Sequence, residues 1–213
     1  MEKETIVYLI RHSKQLKING IKNIDENDQI NNEKIILSVE GENKARKLSE
    51  RKEFNNIDII WSSNYVRAIA TAKYIAYRNN LEINIDSNFN ERKLGNLNNL
   101  KDIGKNKKYS YTEEQLLDEK LKNIDGENRV EVNNRMSNSL NKILRENEGK
   151  NIVIVSHGAA IKFLLMNWCE LNKNFKLTYK DVILDITSPC LLKLTFRKDK
   201  LVSLEQELLK DSF

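Results

Sequence analysis

Short apolar runs alternate along this chain with segments whose apolar residues recur at helical spacing. The runs at residues 6–10, 57–61 and 152–155 are almost entirely apolar and rich in Ile, which is typical of strands buried on both faces of a sheet. Further strands are predicted at residues 82–85, 191–196 and 201–204. Strands that alternate with helices in this way indicate an α/β fold with a mostly parallel sheet.

The helical segments predict layers that cover this sheet. Helical spacing predicts helices at residues 37–50, 65–77, 112–121, 128–147 and 159–168. The predicted buried faces are Val66, Ala70, Tyr74 and Tyr77 in the second helix, and Val132, Met136, Leu140, Ile143 and Leu144 in the fourth. Ser62, Ser63 and Asn64 are suitable N-cap residues for the second helix. We therefore expect a three-layer α/β/α sandwich with a mostly parallel central sheet.

The length of the chain suits one domain. It has 213 residues, enough to bury a sizeable core, and no repeat or linker divides it. The polar stretch at residues 14–34 predicts a loop of the kind that often forms a functional lid. We expect a single domain over residues 1–213, with an excursion or cap loop at about 96–127.

Composition and charge narrow the class of protein. Hydrophobic residues make up 39% and charged residues 31% of the chain, and no apolar run approaches the roughly 20 residues that a membrane helix needs. The first predicted strand begins almost at once, so no signal peptide is expected. Two cysteines without metal spacing indicate reduced thiols in a cytoplasmic protein. Because the net charge of +5 is spread over interleaved lysines and acids, a small anionic substrate is favoured over nucleic acid or a membrane.

Three of the predicted strands end in polar residues that can bind an anion. In chain order, these residues are Arg11 with His12, Ser62 and Ser63 with Arg67, and Ser156 with His157. Ligands of open α/β sheets bind beyond the carboxyl ends of the strands, and helix N-termini at such places attract anions. Guanidinium groups match the oxygens of phosphate. The sequence therefore predicts a phosphate pocket, towards which Arg67 points back from the first turn of its helix.

The order of these motifs resembles the histidine phosphatase superfamily, the phosphoglycerate-mutase-like proteins. The resemblance is carried by Arg11-His12, Leu37-Ser38-Val39-Glu40-Gly41, Ser62-Ser63, Arg67-Ala68, Thr71-Ala72, Glu91 before Gly95, Gly126-Glu127 and Ser156-His157-Gly158. These motifs span nearly the whole chain in the order of the superfamily, and an ordered set is far more specific than a single motif. The resemblance implies the phosphoglycerate-mutase-like fold and the phosphatase branch of the superfamily.

The resemblance also implies a mechanism that needs no metal or cofactor. His12 would attack phosphorus and form a phosphohistidine, and Glu91 would protonate the leaving oxygen and then activate water. The implied catalytic set is His12, Glu91, His157, Arg11 and Arg67, and the implied phosphate-binding set is Arg11, Arg67, His157, Ser13, Gln15, Ser63 and Gly158. The nearby arginines are expected to hold the pKa of His12 below its reference value of ~6.5, so that the ring is neutral when it attacks.

The loop after His12 departs from the superfamily pattern at three positions. Ser13 stands where Gly is usual, Gln15 where Thr or Ser is usual, and Ile18 where Asn is frequent, although Asn19 is adjacent. If the first of these positions requires a positive φ, serine adds strain there. The predicted phosphorylation chemistry is compatible with these changes.

We expect the chain to hydrolyse a phosphomonoester of a small phosphorylated metabolite; the metabolite and the oligomeric state are left open. A phosphoglycerate mutase would use the same phosphohistidine, but the Arg pair that mutases carry downstream of the acid is missing from residues 112–122. A non-catalytic phosphate-binding protein is disfavoured because both histidines and both arginines are retained. A metallohydrolase that uses His12, His157 and Glu91 is disfavoured because the adjacent arginines repel a cation. We also predict that Lys14, Lys101, Lys105, Lys107 and Lys108 attract the anionic substrate.

Overall fold

Alternating strands and helices form the described part of the computed structural model, which is residues 3–17, 29–93, 95, 118–122, 124–207 and 209. In chain order, the elements are β1 (Glu4–Arg11), α1 (Gln29–Lys34), α2 (Val39–Ser49), β2 (Ile59–Ser62), α3 (Val66–Asn79), β3 (Ile83–Ile85), α4 (Arg129–Glu146), β4 (Asn151–Ser156), α5 (Gly158–Leu165), β5 (Glu170–Leu171), β6 (Leu177–Tyr179), β7 (Val182–Ile183), β8 (Cys190–Arg197) and β9 (Lys200–Glu207). Short 3₁₀ turns lie at Lys52–Phe54 and Ser87–Phe89.

A six-stranded sheet in the order β3-β2-β4-β1-β8-β9 forms the centre of the fold. Strands β3, β2, β4 and β1 are parallel, and the pair β8 and β9 joins β1 in antiparallel orientation. The predicted α/β fold with a mostly parallel sheet is confirmed. The register of β1 and β4 places Arg11 opposite Ser156, so the residues that follow these two strands emerge side by side.

Apolar side chains cover both faces of the sheet, as the apolar runs predict. On one face, Val7 and Leu9 of β1 share a core with residues of α4 and α5. On the other face, Tyr8 and Ile10 share a core with residues of α2 and α3. Successive residues of a strand point to opposite faces, so β1 contributes to both cores. The helices on the two faces give the expected three-layer sandwich.

Helix α3 turns a different face to the sheet from the one we predicted. Its buried residues are Arg67, Ala68, Thr71, Ala72, Ile75 and Ala76. Tyr77, which we assigned to the core, is 88% exposed. The prediction was wrong because small alanines let the helix lie close to the sheet, whereas tyrosine combines a bulky ring with a polar tip. Tyr74 uses this tip to donate a hydrogen bond to Glu42 of α2.

The start of α3 also differs from the prediction. Its N-cap is Tyr65, whose side chain makes no capping hydrogen bond. Ser62 is the last residue of β2, and Ser63 places its hydroxyl against His157. By contrast, α4 begins with a capping box between Asn128 and Glu131, and its predicted apolar stripe is buried.

Several predicted loops fall partly outside the described residues. Within the predicted loop at 14–34, residues 29–34 form α1, and 18–28 lie outside. The predicted helix at 112–121 lies outside up to residue 117, and 118–121 is not helical. The predicted cap loop at 96–127 is described only at residues 118–122 and 124–127, and Lys101, Lys105, Lys107 and Lys108 lie outside the described residues. Strands β5, β6 and β7 form a small second sheet that was not predicted, because strands of two or three residues carry no periodic pattern.

Neither cysteine is placed for redox chemistry. Cys169 and Cys190 are both buried and free, and burial raises the pKa of each thiol to about 11. Both therefore stay protonated at neutral pH and behave as small apolar residues. Within the described ranges, no helix is long and apolar enough to cross a membrane.

Candidate active site

The carboxyl ends of β1, β2 and β4 meet at one edge of the sheet and bring the predicted residues together. The His12 amide donates to the Ser156 carbonyl at 2.9 Å, and the Ser63 amide donates to the Val155 carbonyl at 3.0 Å. The rings of His12 and His157 lie with their centroids 5.1 Å apart. Two histidines that are distant in the sequence therefore face one small space.

His12 is almost fully buried, and both of its ring nitrogens are engaged. Nδ1 lies 2.7 Å from the Ser13 carbonyl oxygen, and Arg67 Nε donates to Nε2 at 3.1 Å. A carbonyl can only accept, so Nδ1 carries the hydrogen and Nε2 holds the lone pair that accepts from Arg67. Burial, with smaller contributions from Arg67 and Arg11, lowers the pKa of His12 to about 3. The arginines were the predicted cause, but burial is the larger one.

Carbonyl oxygens hold both predicted arginines in place. Arg11 Nη1 donates to the Ile186 carbonyl, and Arg67 Nη1 donates to the Asn32 carbonyl. The Arg67 guanidinium carbon also lies 4.9 Å from the centroid of the Tyr65 ring, where a cation is attracted to the ring face. Burial lowers the pKa of Arg67, yet a guanidinium remains charged in proteins. Two fixed positive charges therefore flank the site.

Gly158 begins α5 and lies against the Arg11 guanidinium. A Cβ atom at this position would lie 2.9 Å from Arg11 Cζ and 3.1 Å from Arg11 Nε. Carbon atoms in favourable contact are roughly 3.5–4.0 Å apart, so only glycine leaves room for this arrangement. The structure thus gives Gly158 a steric role beside Arg11, and its direct contact with phosphate stays a prediction.

His157 is fully buried between Ser63 and Tyr65. Its Nε2 lies 2.6 Å from Ser63 Oγ, and the Tyr65 amide donates to the same oxygen at 3.2 Å. The Ser63 hydroxyl is satisfied when it donates its own hydrogen to Nε2, which leaves the hydrogen of the neutral ring on Nδ1. Nδ1 has no hydrogen-bond partner in the described part of the chain. Burial is the main cause that lowers the pKa of His157 well below its ordinary value, so the ring is a neutral donor.

Ser13 holds the loop that follows His12 by donating hydrogen bonds to α2 and α3. Ser13 donates its amide to Thr71 Oγ1 at 2.9 Å and its hydroxyl to the Gly41 carbonyl at 2.7 Å. Ser13 is not one of the residues with positive φ, so the condition for strain at this position is absent. Both donors of Ser13 are engaged within the protein, and its contact with phosphate stays a prediction.

The segment that leads into α2 holds the same loop from the other side. The Ser38 amide donates to the Lys14 carbonyl at 3.0 Å, and the Ser38 hydroxyl caps α2 by accepting from the Gly41 amide. A Cβ on Gly41 would lie 1.9 Å from the Lys14 carbonyl oxygen, so this position requires glycine. Gln15 pairs with Leu37 in an isolated antiparallel bridge, and its contact with phosphate also stays a prediction.

Glu91 lies in the loop after β3 and reaches the N-terminus of α5. Its carboxylate accepts from the Arg92 amide at 2.9 Å, the Ala160 amide at 3.0 Å and the Ala159 amide at 3.2 Å. Burial lowers the pKa of Arg67, and the negative charge of Glu91 raises it. The two charged groups are therefore near neighbours. The structure therefore brings Glu91 into the same site as the arginines and histidines.

The site is chemically suited to an anion. Among the described residues, it combines two guanidinium groups and two neutral imidazoles with one carboxylate held by amides. Within the described ranges, no group of three or more His, Cys, Asp or Glu side chains is placed to hold a metal ion, and His12, His157 and Glu91 all lie within those ranges.

The sheet order and this histidine-centred site have a counterpart among known families. The family model of the histidine phosphatase superfamily (branch 1) matches residues 7–206. The chain belongs to this superfamily. The membership that the motif order predicts is thereby confirmed. Among curated protein sequences, none matches the chain.

Solved structures share the fold over nearly the whole of this superfamily member. A mycobacterial glucosyl-3-phosphoglycerate phosphatase is 18% identical with a TM-score of 0.66, over 97% of this chain and 98% of its own. A phosphoglycerate mutase from Bacillus anthracis is 19% identical with a TM-score of 0.67, over 97% and 93%. A phosphoserine phosphatase from Entamoeba histolytica is 22% identical with a TM-score of 0.62, over 94% and 96%. At these identities, the likeness shows the fold.

Several residues that support the site lie outside the sequence motifs, and sequence reasoning missed them. Ser188 Oγ donates to the His12 carbonyl at 2.6 Å. Arg135 and Ser139, one turn apart on α4, contact the loop that carries Glu91. Polar residues at such spacing are ordinary on the solvated face of a helix, so no local pattern could have indicated their role.

Proposed function

We propose that this superfamily member is a metal-independent phosphomonoesterase that passes the phosphoryl group of a small metabolite through His12 to water. The observation that carries the proposal is the state of His12. The Ser13 carbonyl fixes the hydrogen on Nδ1, so the lone pair of Nε2 faces Arg67. A neutral imidazole beside a guanidinium is a nucleophile next to a group that binds anions. The pKa of about 3 maintains this state at neutral pH.

The proposed reaction has two steps that leave the protein unchanged. In the first, Nε2 of His12 attacks phosphorus, the bond from phosphorus to the leaving oxygen breaks, and Glu91 in its acid form protonates that oxygen. In the second, water attacks the phosphohistidine, Glu91 takes a proton from the water, and the bond from nitrogen to phosphorus breaks. Inorganic phosphate leaves, His12 is neutral again, and Glu91 has regained its proton.

Arg11, Arg67 and His157 are proposed to hold the non-bridging phosphoryl oxygens. The two arginines supply fixed guanidinium groups, and His157 supplies its Nδ1–H. Donors of this kind stabilise the charge that develops in the transition state, and removal of one typically costs about 10²–10³-fold in kcat. Ser13, Ser63 and Gly158 are proposed to support these groups through the contacts described above.

The substrate class is proposed from the site and from the names of the solved neighbours. Two of those neighbours are named as phosphatases of small phosphorylated metabolites, glucosyl-3-phosphoglycerate and phosphoserine. A phosphoglycerate mutase is the second candidate, because one solved neighbour is a mutase. Hydrolysis is favoured because residues 112–122 lack an Arg pair.

A phosphatase screen over sugar phosphates, phosphoserine, phosphoglycerates and nucleotides tests the proposal, with His12→Ala as the blank. We expect phosphate release by the parent protein that is absent from the blank. Intact-protein mass spectrometry after an alkaline quench should show one added phosphoryl group on the parent protein only. If no donor yields either phosphate or this adduct, the proposed phosphatase activity is refuted.

A separate incubation distinguishes hydrolysis from the mutase reaction. The protein is given 3-phosphoglycerate together with 2,3-bisphosphoglycerate, and both 2-phosphoglycerate and free phosphate are measured. We expect free phosphate without isomerisation. Formation of 2-phosphoglycerate faster than release of phosphate would assign the chain to the mutases.

A further inference from the structure

Glu127 and Arg135 form an ion pair at the base of the loop that carries Glu91. We propose that this pair positions Glu91 for proton transfer, because it holds the loop backbone on both sides of that residue. The inference rests on the proposed function, in which Glu91 is the acid and base. Neither Glu127 nor Arg135 is proposed to touch the substrate, so both are positioning residues.

Arg135 contacts three successive parts of the loop with one guanidinium. Its Nη1 donates to the carbonyls of Asn88 and Asn90, and its Nη2 lies 3.4 Å from the carbonyl of Glu91. The same group donates from Nε to Glu127 Oε1 at 2.8 Å and from Nη2 to Glu127 Oε2 at 2.9 Å. Only the planar fork of arginine can serve a carboxylate and several carbonyls at once.

Glu127 holds the other end of the same loop. Its Oε2 accepts from the Lys93 amide at 2.9 Å, and its own amide donates to the Lys93 carbonyl at 2.9 Å. Burial by itself raises the pKa of Glu127, but the hydrogen bonds from Arg135 and from the Lys93 amide outweigh it and hold the pKa below its ordinary value. The pair therefore spans residues 88–93, with Glu91 inside the span.

The burial of the pair separates it from ordinary surface ion pairs. The side chains of Arg135 and Glu127 are each 16% exposed. On the same helix, Arg129 pairs with Glu119 at 2.8 Å, but the Glu119 side chain is 67% exposed. Exposed pairs contribute little to a fold, whereas loss of one member of a buried pair leaves the other charge uncompensated. Arg135 is also close enough to the site to lower the pKa of His157, among smaller causes than burial.

Hydrogen bonds from this ion pair to the loop backbone should affect proton transfer by Glu91 more than phosphate binding. A general acid must stand within about 2.6–3.2 Å of the oxygen that it protonates, and a displacement of about 1 Å can cost 10²-fold in rate. The carboxylate of Glu91 is fixed at α5 by two amides, and its backbone is fixed at α4 by Arg135. Loss of the second attachment lets the carboxylate drift while the arginines and histidines stay in place.

The test uses two aryl phosphates that differ in their need for an acid. The 4-nitrophenolate leaving group departs without protonation, whereas phenolate, being more basic, gains from it. Arg135→Lys keeps the charge but loses the fork, and Glu127→Gln keeps the shape but loses the charge. Arg129→Lys is the matched control, because Arg129 lies on the same helix and donates to Glu119, outside the loop that carries Glu91. Glu91→Gln is the reference for loss of the acid.

We expect kcat/KM, which reports on the phosphorylation step in which the leaving group departs, to fall for phenyl phosphate by about 10–10²-fold in Arg135→Lys and Glu127→Gln, with a much smaller fall for 4-nitrophenyl phosphate. Glu91→Gln should show the same pattern with a larger loss, about 10²–10⁴-fold. In the Glu91→Gln background, Arg135→Lys should add little, because both changes remove the same contribution. Arg129→Lys should match the parent protein with both substrates.

Equal losses with the two substrates, or full additivity with Glu91→Gln, would overturn the positioning role and leave the pair with a structural one. If thermal melting shows that Arg135→Lys does not fold, Glu127→Gln decides alone. A parent protein that hydrolyses neither ester, or a Glu91→Gln variant without the leaving-group pattern, refutes the proposed function instead. The positioning inference alone fails when Glu91→Gln shows the pattern and the pair variants do not.

Discussion

Replacing Gly158 with alanine perturbs the anion pocket without removing any functional group. The new Cβ would start 2.9 Å from Arg11 Cζ and 3.1 Å from Arg11 Nε. To restore an ordinary contact of roughly 3.5–4.0 Å, the guanidinium must move by about 0.5–1 Å. This group is the far end of a flexible side chain, so it can move at little cost to folding. It then loses its alignment with the Ile186 carbonyl that orients it.

The size of the effect follows from that displacement. A misplacement of about 1 Å in a positioning group can cost 10²-fold in rate, which is about 2.7 kcal/mol of transition-state stabilisation. Gly158 is the first residue of α5, outside the helix interior in which alanine is favoured over glycine by about 1 kcal/mol, so the stability of Gly158→Ala should stay close to that of the parent protein. We therefore expect activity to fall while stability is nearly unchanged.

The assay measures kcat/KM with 4-nitrophenyl phosphate, inhibition by inorganic phosphate, and thermal melting. Gly149→Ala is the matched control, because Gly149 has a φ of +80° and the atoms nearest to a Cβ there belong to the Lys3 side chain. That variant should lose about 1–2 kcal/mol of stability and keep its kcat/KM. Gly158→Ala with the parent kcat/KM and phosphate inhibition would refute the steric argument.

Three further predictions follow from the contacts around the histidines. Ser63→Ala removes the partner of His157 Nε2, so we expect a roughly tenfold lower kcat/KM in steady-state kinetics, and an unchanged value would contradict the role of Ser63. Ser13→Gly removes the hydroxyl that donates to Gly41, so urea unfolding should show a loss of about 1–2 kcal/mol. A fall in kcat/KM that exceeds the loss of folded protein would instead favour a direct phosphate contact. In the unfolded chain His12 binds a proton near its reference pKa of ~6.5, whereas in the folded protein it does so only at about 3. Stability should therefore fall as pH falls between these values, by up to about 1.4 kcal/mol per pH unit for this residue. His12→Asn should show a shallower dependence in denaturant unfolding at a series of pH values, and equal slopes would count against a buried neutral ring.

The residues of the candidate site that come immediately after a strand in the sequence were predictable. Arg11 and His12 end one apolar run and His157 ends another, and both facts are visible in the sequence. Because parallel strands present their carboxyl ends at one edge of the sheet, the meeting of the two histidines needs no knowledge of side-chain packing. Arg67 was also predictable, since a residue in the first helical turn leans back towards the preceding strand.

Other parts of the molecule depend on residues that are far apart in sequence. The apolar spacing of Val66, Ala70, Tyr74 and Tyr77 indicated the wrong face of α3, because the fit of the alanines against the sheet decides which side is buried. Arg135 lies 44 residues after Glu91 in the sequence. Its hydrogen bonds to the loop that carries Glu91 form only when α4 packs beside that loop. No local pattern distinguishes it from a solvated arginine.

The sequence by itself determined the order of the central strands and of the helices that cover them, and the chemical groups at the strand ends, because periodicity and strand termination are properties of neighbouring residues. Only the tertiary structure decided the protonation of those groups. The pKa of His12 falls to about 3 chiefly because the folded chain excludes water from the ring, and the hydrogen lies on Nδ1 because the Ser13 carbonyl is there to accept it. Burial and hydrogen-bond direction arise when distant segments pack together, so neither can be obtained from spacing along the chain.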